Sequence, residues 1–169
     1  MLEAVIRVID RINEKQGAIA ALLSLPLVAV VIFEVVMRYV FDRPTIWAFE
    51  TTSFLYGVHY MMGLSYMELA QGHVKVDVLV NRLSQRVRII VNILGFLVFF
   101  LPVFTLLAWA TFDFAAISVR ASELASTSWA PPVWPFKILM ALGVVFLWLQ
   151  GLANLFKQVV ELKKERAQS

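Results

Sequence analysis

Residues 17–37 read "GAIAALLSLPLVAVVIFEVVM", an apolar run whose single ionisable side chain, Glu34, stands near its far end. Crossing the hydrocarbon core of a bilayer takes about 20 predominantly apolar helical residues, and this run is long enough. A helix of a soluble bundle would show a polar face, and this one has none. Three further stretches read the same way: "WAFETTSFLYGVHYMMGLSYM" (47–67), "IIVNILGFLVFFLPVFTLLAWATF" (89–112) and "WPFKILMALGVVFLWLQGLANLF" (134–156). The expectation is an all-α membrane protein with four transmembrane helices, forming one integral membrane domain over residues 1–169.

Composition agrees. The chain is 60% hydrophobic and 16% charged, with a mean hydropathy of +0.78, whereas soluble domains run near 25% charged. There is no cysteine, which excludes disulfides, thiolate chemistry and cysteine-bound metals. The net charge of +3 does not point to nucleic acid.

The distribution of the basic residues says more than their sum. Arg7, Arg11, Lys15, Lys75, Arg82, Arg86, Arg88, Lys157, Lys163, Lys164 and Arg166 fall on one side of a four-span layout. Arg38, Arg43, Arg120 and Lys137 fall on the other, so the fifteen divide eleven to four. The positive-inside rule then puts both termini in the cytoplasm. Trp47, Trp109, Trp129 and Trp134 all lie at the expected outer boundary, where amphipathic rings settle; only Trp148 lies deep in a span. No cleavable signal peptide is expected, because the first apolar run is longer than an h-region and no A-x-A-like site follows it.

Two segments read as interfacial amphipathic helices. In residues 2–14, Leu2, Val5, Ile6, Ile9 and Ile12 share one face, leaving Arg7, Asp10, Arg11 and Glu14 wet. In residues 75–88, Val76, Leu79, Val80, Leu83 and Val87 recur at helical spacing, with Lys75, Asp77, Arg82, Arg86 and Arg88 on the remaining surface, suited to anionic phospholipid.

A family resemblance rests on "RYVFDRPTIWAFE" (38–50) and "GHVKVDVLVNRLS" (72–84). Trp47-x-x-Glu50 at the head of the second span, followed by His73-x-x-x-Asp77, resembles the small membrane subunit of tripartite ATP-independent periplasmic (TRAP) transporters. The Glu123-x-x-Ser126 stretch, "WPFK" (134–137) and "LQG" (149–151) are similar to one branch of that family. The resemblance implies a bacterial inner-membrane subunit, not an enzyme, of a sodium-coupled importer of small carboxylates. Its partners would be a large multi-span transport subunit, which holds sodium and substrate, and a periplasmic substrate-binding protein. No cofactor is expected in this chain. The small subunit would brace the large one and help dock the binding protein.

Polar residues inside the spans are functional candidates, because charge in hydrocarbon is costly. Glu34, Arg38, Asp42, Arg43 and Glu50 form an expected outer charged layer, with Glu34 and Arg38 at pairing distance i, i+4. Glu50 is the acid expected to reach the large subunit. Trp47, Ser53, Gly57, His59 and Gly63 join it as interface candidates, the small residues allowing close helix approach. Asn92, Gln150 and Asn154 near the inner boundary are expected to bond across helices. Pro26 and Pro102 are expected to kink their helices. The third helix is expected to run on through residues 113–126 until Pro131 and Pro132 stop it, leaving Arg120, Glu123 and Ser126 as periplasmic docking candidates.

Other functions fit less well. A haem or quinone anchor subunit of a redox complex also has four spans. A bis-histidine haem, however, needs ligands at one depth on facing helices, and His59 and His73 belong to one segment. A self-sufficient exporter needs a carboxylate at the midplane of its first helix, and Glu34 lies too far out. No nucleophile–base set or metal cluster suggests an enzyme.

Overall fold

The computed structural model describes residues 2–70 and 84–168, and these are almost entirely helical. Helix α1 spans Leu2–Tyr39 and α2 spans Ala48–Leu69. A third rod is built from α3 (Gln85–Gly95), a π-helical turn (Phe96–Phe100) and α4 (Leu101–Arg120). Helix α5 spans Trp134–Gln168. Three of these rods, 3–39, 85–120 and 134–163, are long and apolar enough to cross a membrane. Helix α2 is more polar. Its 22 residues measure about 33 Å at 1.5 Å per residue, and it carries Glu50, Thr51, Thr52, Ser53, His59 and Ser65.

Consecutive rods run antiparallel, so α2 and α5 run parallel. Phe54 stacks on Phe136, and seven residues on in each helix Gly143 meets the backbone of Met61. Helix α2 lies between α1 and α5, and the α3–α4 rod packs chiefly on α5. This makes α5 the centre: 44% of its most apolar stretch is buried, against 6% in each of the other two apolar rods. The outer surfaces of α1 and the third rod are aliphatic and open, including Leu22, Leu25, Val28, Val98, Val103 and Leu106.

Helix α1 differs from expectation at its start. Residues 2–14 are not a separate surface helix but the first turns of one continuous 38-residue helix, about 57 Å long. Ile6 is buried, while Val5 and Ile12 stay exposed. The reason is polar. Asp10, expected to stay wet, turns towards α5, where Lys157 and Gln150 bond to it. Pro26 sits inside this helix without ending it. Pro102 has a visible consequence: the π-helical turn stands immediately before it. A proline cannot donate its backbone hydrogen bond and crowds the carbonyl four residues earlier, and a widened turn relieves that contact.

The π-turn also stacks Phe96, Phe100 and Phe104 into a ladder, with ring centroids 4.4 and 4.3 Å apart. Gly151 makes room for it, since a Cβ there would stand 2.2 Å from Phe100 Cε1. Trp148 Nε1 donates to Thr105 Oγ1 at 3.0 Å, tying α5 to α4 above the ladder.

The third rod ends earlier than expected, at Arg120, eleven residues before Pro131. The stop is a Schellman arrangement: Glu123 N–H reaches the Ser118 carbonyl and Ser122 N–H the Val119 carbonyl, both at 3.1 Å. Ser122 takes the left-handed position usually held by glycine, with φ 47°. Residues 121–133 then fold into a closed loop, with Leu124 bridged to Pro132 and Ala125 N–H bonded to the Pro131 carbonyl at 2.9 Å.

Most of the expected connector helix over 75–88 lies outside the described residues, and with it His73, Lys75, Asp77 and Arg82. Arg86 and Arg88 fall in the first turns of α3, which opens after Ser84.

Candidate functional site: a polar seam and two clasps

The strongest cluster of polar side chains runs along the meeting of α1, α2 and α5, at the end of the bundle that holds the N-terminus of α1. Asn and Gln each carry a donor and an acceptor, so one residue can join two helices where an unpaired polar group would be costly. Asn13 Nδ2 donates to Gln150 Oε1 at 2.7 Å. Gln150 Nε2 donates to Asp10 Oδ1 at 2.9 Å and to Asn154 Oδ1 at 3.3 Å. Asn154 Nδ2 continues to Glu68 Oε1 at 2.9 Å. Lys157 Nζ closes the end of the seam on Asp10 Oδ1 at 2.8 Å. One turn further in, Gln16 donates to the Met62 carbonyl and accepts from Ser65 Oγ at 2.8 Å. Gln150, Asn13 and Ser65 are among the most deeply buried side chains of the protein.

Gln150 and Asn154 were expected to bond across helices, and they do. Asn92 is exposed and takes no part in the seam. Asp10, Asn13, Gln16, Ser65 and Glu68 were not foreseen. Their signal lay in spacing: Asn13, Gln16, Gly17 and Ala20 recur at three- and four-residue steps beside the aliphatic face of the same helix.

At the opposite end of the bundle, Glu34 and Arg38 pair as their spacing implies, Nη2 to Oε1 at 2.7 Å. Thr45, an unforeseen partner, gives Glu34 Oε2 its hydroxyl at 2.6 Å and its N–H at 3.2 Å. Glu34 thereby binds the α1–α2 turn to α1. Asp42 supports the same turn by its backbone, in the left-handed region at φ 50°, which aspartate tolerates better than most residues. Arg43 and Asp42 are both exposed.

A second clasp holds the loop over residues 121–133. Lys137 Nζ meets Glu123 Oε2 at 2.5 Å and lies 3.7 Å from the centre of the Phe114 ring. The ammonium holds the Glu123 carboxyl below its ordinary range. Of the three docking candidates, Glu123 is thus engaged, while Arg120 and Ser126 are exposed.

The interface candidates on α2 divide. Trp47 stacks on Phe33, centroids 5.7 Å apart. Gly57 faces the Phe136 ring of α5. His59 Nδ1–H donates to the Ala20 carbonyl at 2.7 Å, which fixes its tautomer. Glu50 is only 7% exposed, and among the described residues no donor reaches its Oε2. Ser53 is exposed, and Gly63 has open space where a Cβ would stand. No group of three or more metal-ligating His, Asp or Glu side chains occurs among the described residues.

The sequence matches known proteins. Over 148 residues the chain is 26% identical to the sialic acid TRAP transporter permease protein SiaT of Haemophilus influenzae (strain 86-028NP). The match covers 86% of this chain and 24% of that protein, so the chain spans about a quarter of the relative's length. Residues 27–161, from the middle of α1 to the last turns of α5, match the DctQ component of the tripartite ATP-independent periplasmic transporters. An apolar helical bundle cross-tied in this way, with a family match along most of its length, belongs to the DctQ family of TRAP transporter components, multi-pass proteins of the bacterial inner membrane.

Proposed function

We propose that this chain is the small membrane subunit of a binding-protein-dependent secondary importer of small carboxylates, driven by sodium. It crosses the membrane four times as one domain, with both termini and the 70–84 connection in the cytoplasm. The family match over residues 27–161 carries the reading. Support comes from where the polar side chains are spent: Asp10, Asn13, Gln16, Ser65, Gln150, Asn154 and Lys157 of the seam each make a helix–helix bond, though Asn13 Oδ1 is left without a partner among the described residues. Such a unit stiffens and braces; it does not itself bind a solute. Substrate and sodium then belong to a larger transport subunit.

The polarity of α2 does not bar it from crossing. Its length is sufficient, and His59, Ser65 and Ser53 each bond to a backbone carbonyl or a neighbouring helix. The basic inner ends, with Arg7, Arg11, Lys15, Arg86 and Arg88, suit anionic phospholipid headgroups. On the other side, exposed Arg120 precedes, and exposed Ser126 lies within, the loop that would meet a periplasmic binding protein. Reconstitution tests the whole reading. Vesicles holding this chain alone should take up no carboxylate down a sodium gradient, and vesicles holding it with the large subunit and binding protein should. Uptake by the chain alone would overturn it.

A further inference from the structure

Helix α2 has a third side that neither α1 nor α5 covers. Phe49, Ser53, Tyr56, Tyr60, Gly63 and Met67 follow one another at alternating steps of four and three residues. At about 100° per residue they fall within an arc of roughly 80°. Phe49 is 75% exposed, Tyr56 58%, Tyr60 52% and Met67 45%. The buried residues Val58 and Ser65 stand on the opposite side.

This face is unlike the protein's other open helix surfaces. Those of α1 and α4 are dominated by Leu, Ile and Val, as lipid requires, whereas no Leu, Ile or Val of α2 is exposed. In their place stand two tyrosines, stacked with centroids 6.2 Å apart, a serine and a glycine. The two phenol hydroxyls make no hydrogen bond among the described residues, and in hydrocarbon an unpaired hydroxyl is costly. A Cβ at Gly63 would meet nothing within 4 Å, so another backbone can come close there.

We infer that this face of α2 seats a transmembrane helix of the larger permease subunit, which brings polar partners to Tyr56 and Tyr60 and its closest approach to Gly63. The inference rests on reading the chain as a subunit beside a larger permease. The family supplies the occupant: this chain matches one component of a tripartite transporter, and the matched stretch is only 24% of a relative named a permease. The four large side chains offer roughly 500 Å², short of the about 800 Å² each partner gives a standard interface. The seat therefore extends onto the groove between α1 and α2 at the outer end. That groove, about 280 Å³, is lined by Val31, Val35, Arg38, Ala48, Phe49 and Thr52. The Arg38 side chain is 54% exposed there, so the seated helix should carry an acidic or carbonyl group at that level.

Site-specific photocrosslinking in cells co-expressing the tagged large subunit tests this. A photoreactive residue at Tyr60 should crosslink to the large subunit, and one at Leu106 on α4, 71% exposed, should not. Gly63→Leu should weaken co-purification at least about tenfold while leaving the thermal stability of the isolated chain unchanged, because its Cβ site is open. If the wild-type complex co-purifies but Tyr60 crosslinks only to lipid or to a second copy of this chain, the α2 seat is wrong and the subunit reading stands. If the same complex forms and Gly63→Leu leaves it unchanged, the seat is likewise wrong. If the wild type brings down no large subunit, both readings fall together.

Discussion

Asn13 and Gln150 meet at 2.7 Å although 137 residues separate them, and both are almost fully buried. Their bond joins the first helix to the last. Gln150 then passes the connection to Asp10 and Asn154, so one amide holds three partners. Removing it strands donors and acceptors in an apolar bundle. A lost bond with unmatched partners costs about 1–3 kcal/mol, though cycles within membrane bundles average nearer 0.6. Gln150→Leu should therefore lower stability by about 1–2 kcal/mol in a detergent unfolding titration. Asn13→Leu in the Gln150→Leu background should cost less than it does alone, because its partner has already gone. Strict additivity of the two would remove the bond from the account.

The phenylalanine ladder predicts a steric result. Gly151→Leu places a side chain where Phe100 stands, and Phe100 is stacked on both sides by Phe96 and Phe104. Overpacking of this kind costs about 1–3 kcal/mol. The melting temperature in detergent should fall for Gly151→Leu and hold for Gly63→Leu. Equal effects at the two glycines would mean that the ladder can move aside.

These two glycines show what the sequence could convey. The apolar spans were legible from composition, and Glu34 with Arg38 was legible because four-residue spacing suffices to place a pair. Nothing local marks Gly151 as facing a ring on another helix and Gly63 as facing outward. Asp10 was misplaced for a related reason: its neighbours Arg7, Arg11 and Glu14 read as a wet face, and the lysine that claims it lies 147 residues away. The end of the third rod at Arg120 was hidden because its left-handed position is held by Ser122, where a glycine would have announced it. The clasp on the 121–133 loop depends on Phe114, Glu123 and Lys137 together, which no short window contains.

That clasp should respond to pH. Lys137 holds the Glu123 carboxyl below its ordinary value of 4.5. A depressed acid stabilises the folded loop above that value, and the contribution disappears as pH falls through the lower folded value. Trp129 sits in the loop and reports on it. Its fluorescence should be flat from neutral pH down to about 4.5 and change below it. Glu123→Gln should abolish the acid transition, and Lys137→Met should move it up towards 4.5. A transition that persists unchanged in Glu123→Gln would belong to another carboxylate.

Topology has a direct measurement. Ser84 and Ser126 are exposed in a chain without cysteine, so a single cysteine at either place is readable. The eleven-to-four division of basic residues puts Ser84 inside and Ser126 outside. A membrane-impermeant thiol reagent added to intact cells should label position 126 alone. Labelling of 84 alone would invert the orientation, and labelling of both would reduce the number of crossings between them.

Glu50 is the acid that the sequence offers to a partner, and the fold turns it inward. It stands in the first turn of α2, where the helix dipole favours a negative charge, yet it is only 7% exposed and its Oε2 meets no donor among the described residues. Two consequences can be separated by charge and by volume. Glu50→Gln keeps the shape and one acceptor and removes a buried carboxyl oxygen that meets no donor, so the isolated chain should be as stable as wild type or more so. Glu50→Ala also empties the space, which should cost about 1–2 kcal/mol within the usual range for single substitutions. Association with the large subunit should follow stability: unchanged for Glu50→Gln, weakened for Glu50→Ala in proportion to its melting temperature. A Glu50→Gln protein that is fully stable but fails to hold the large subunit would reverse this. The missing donor would then come from the partner and be supplied only on assembly.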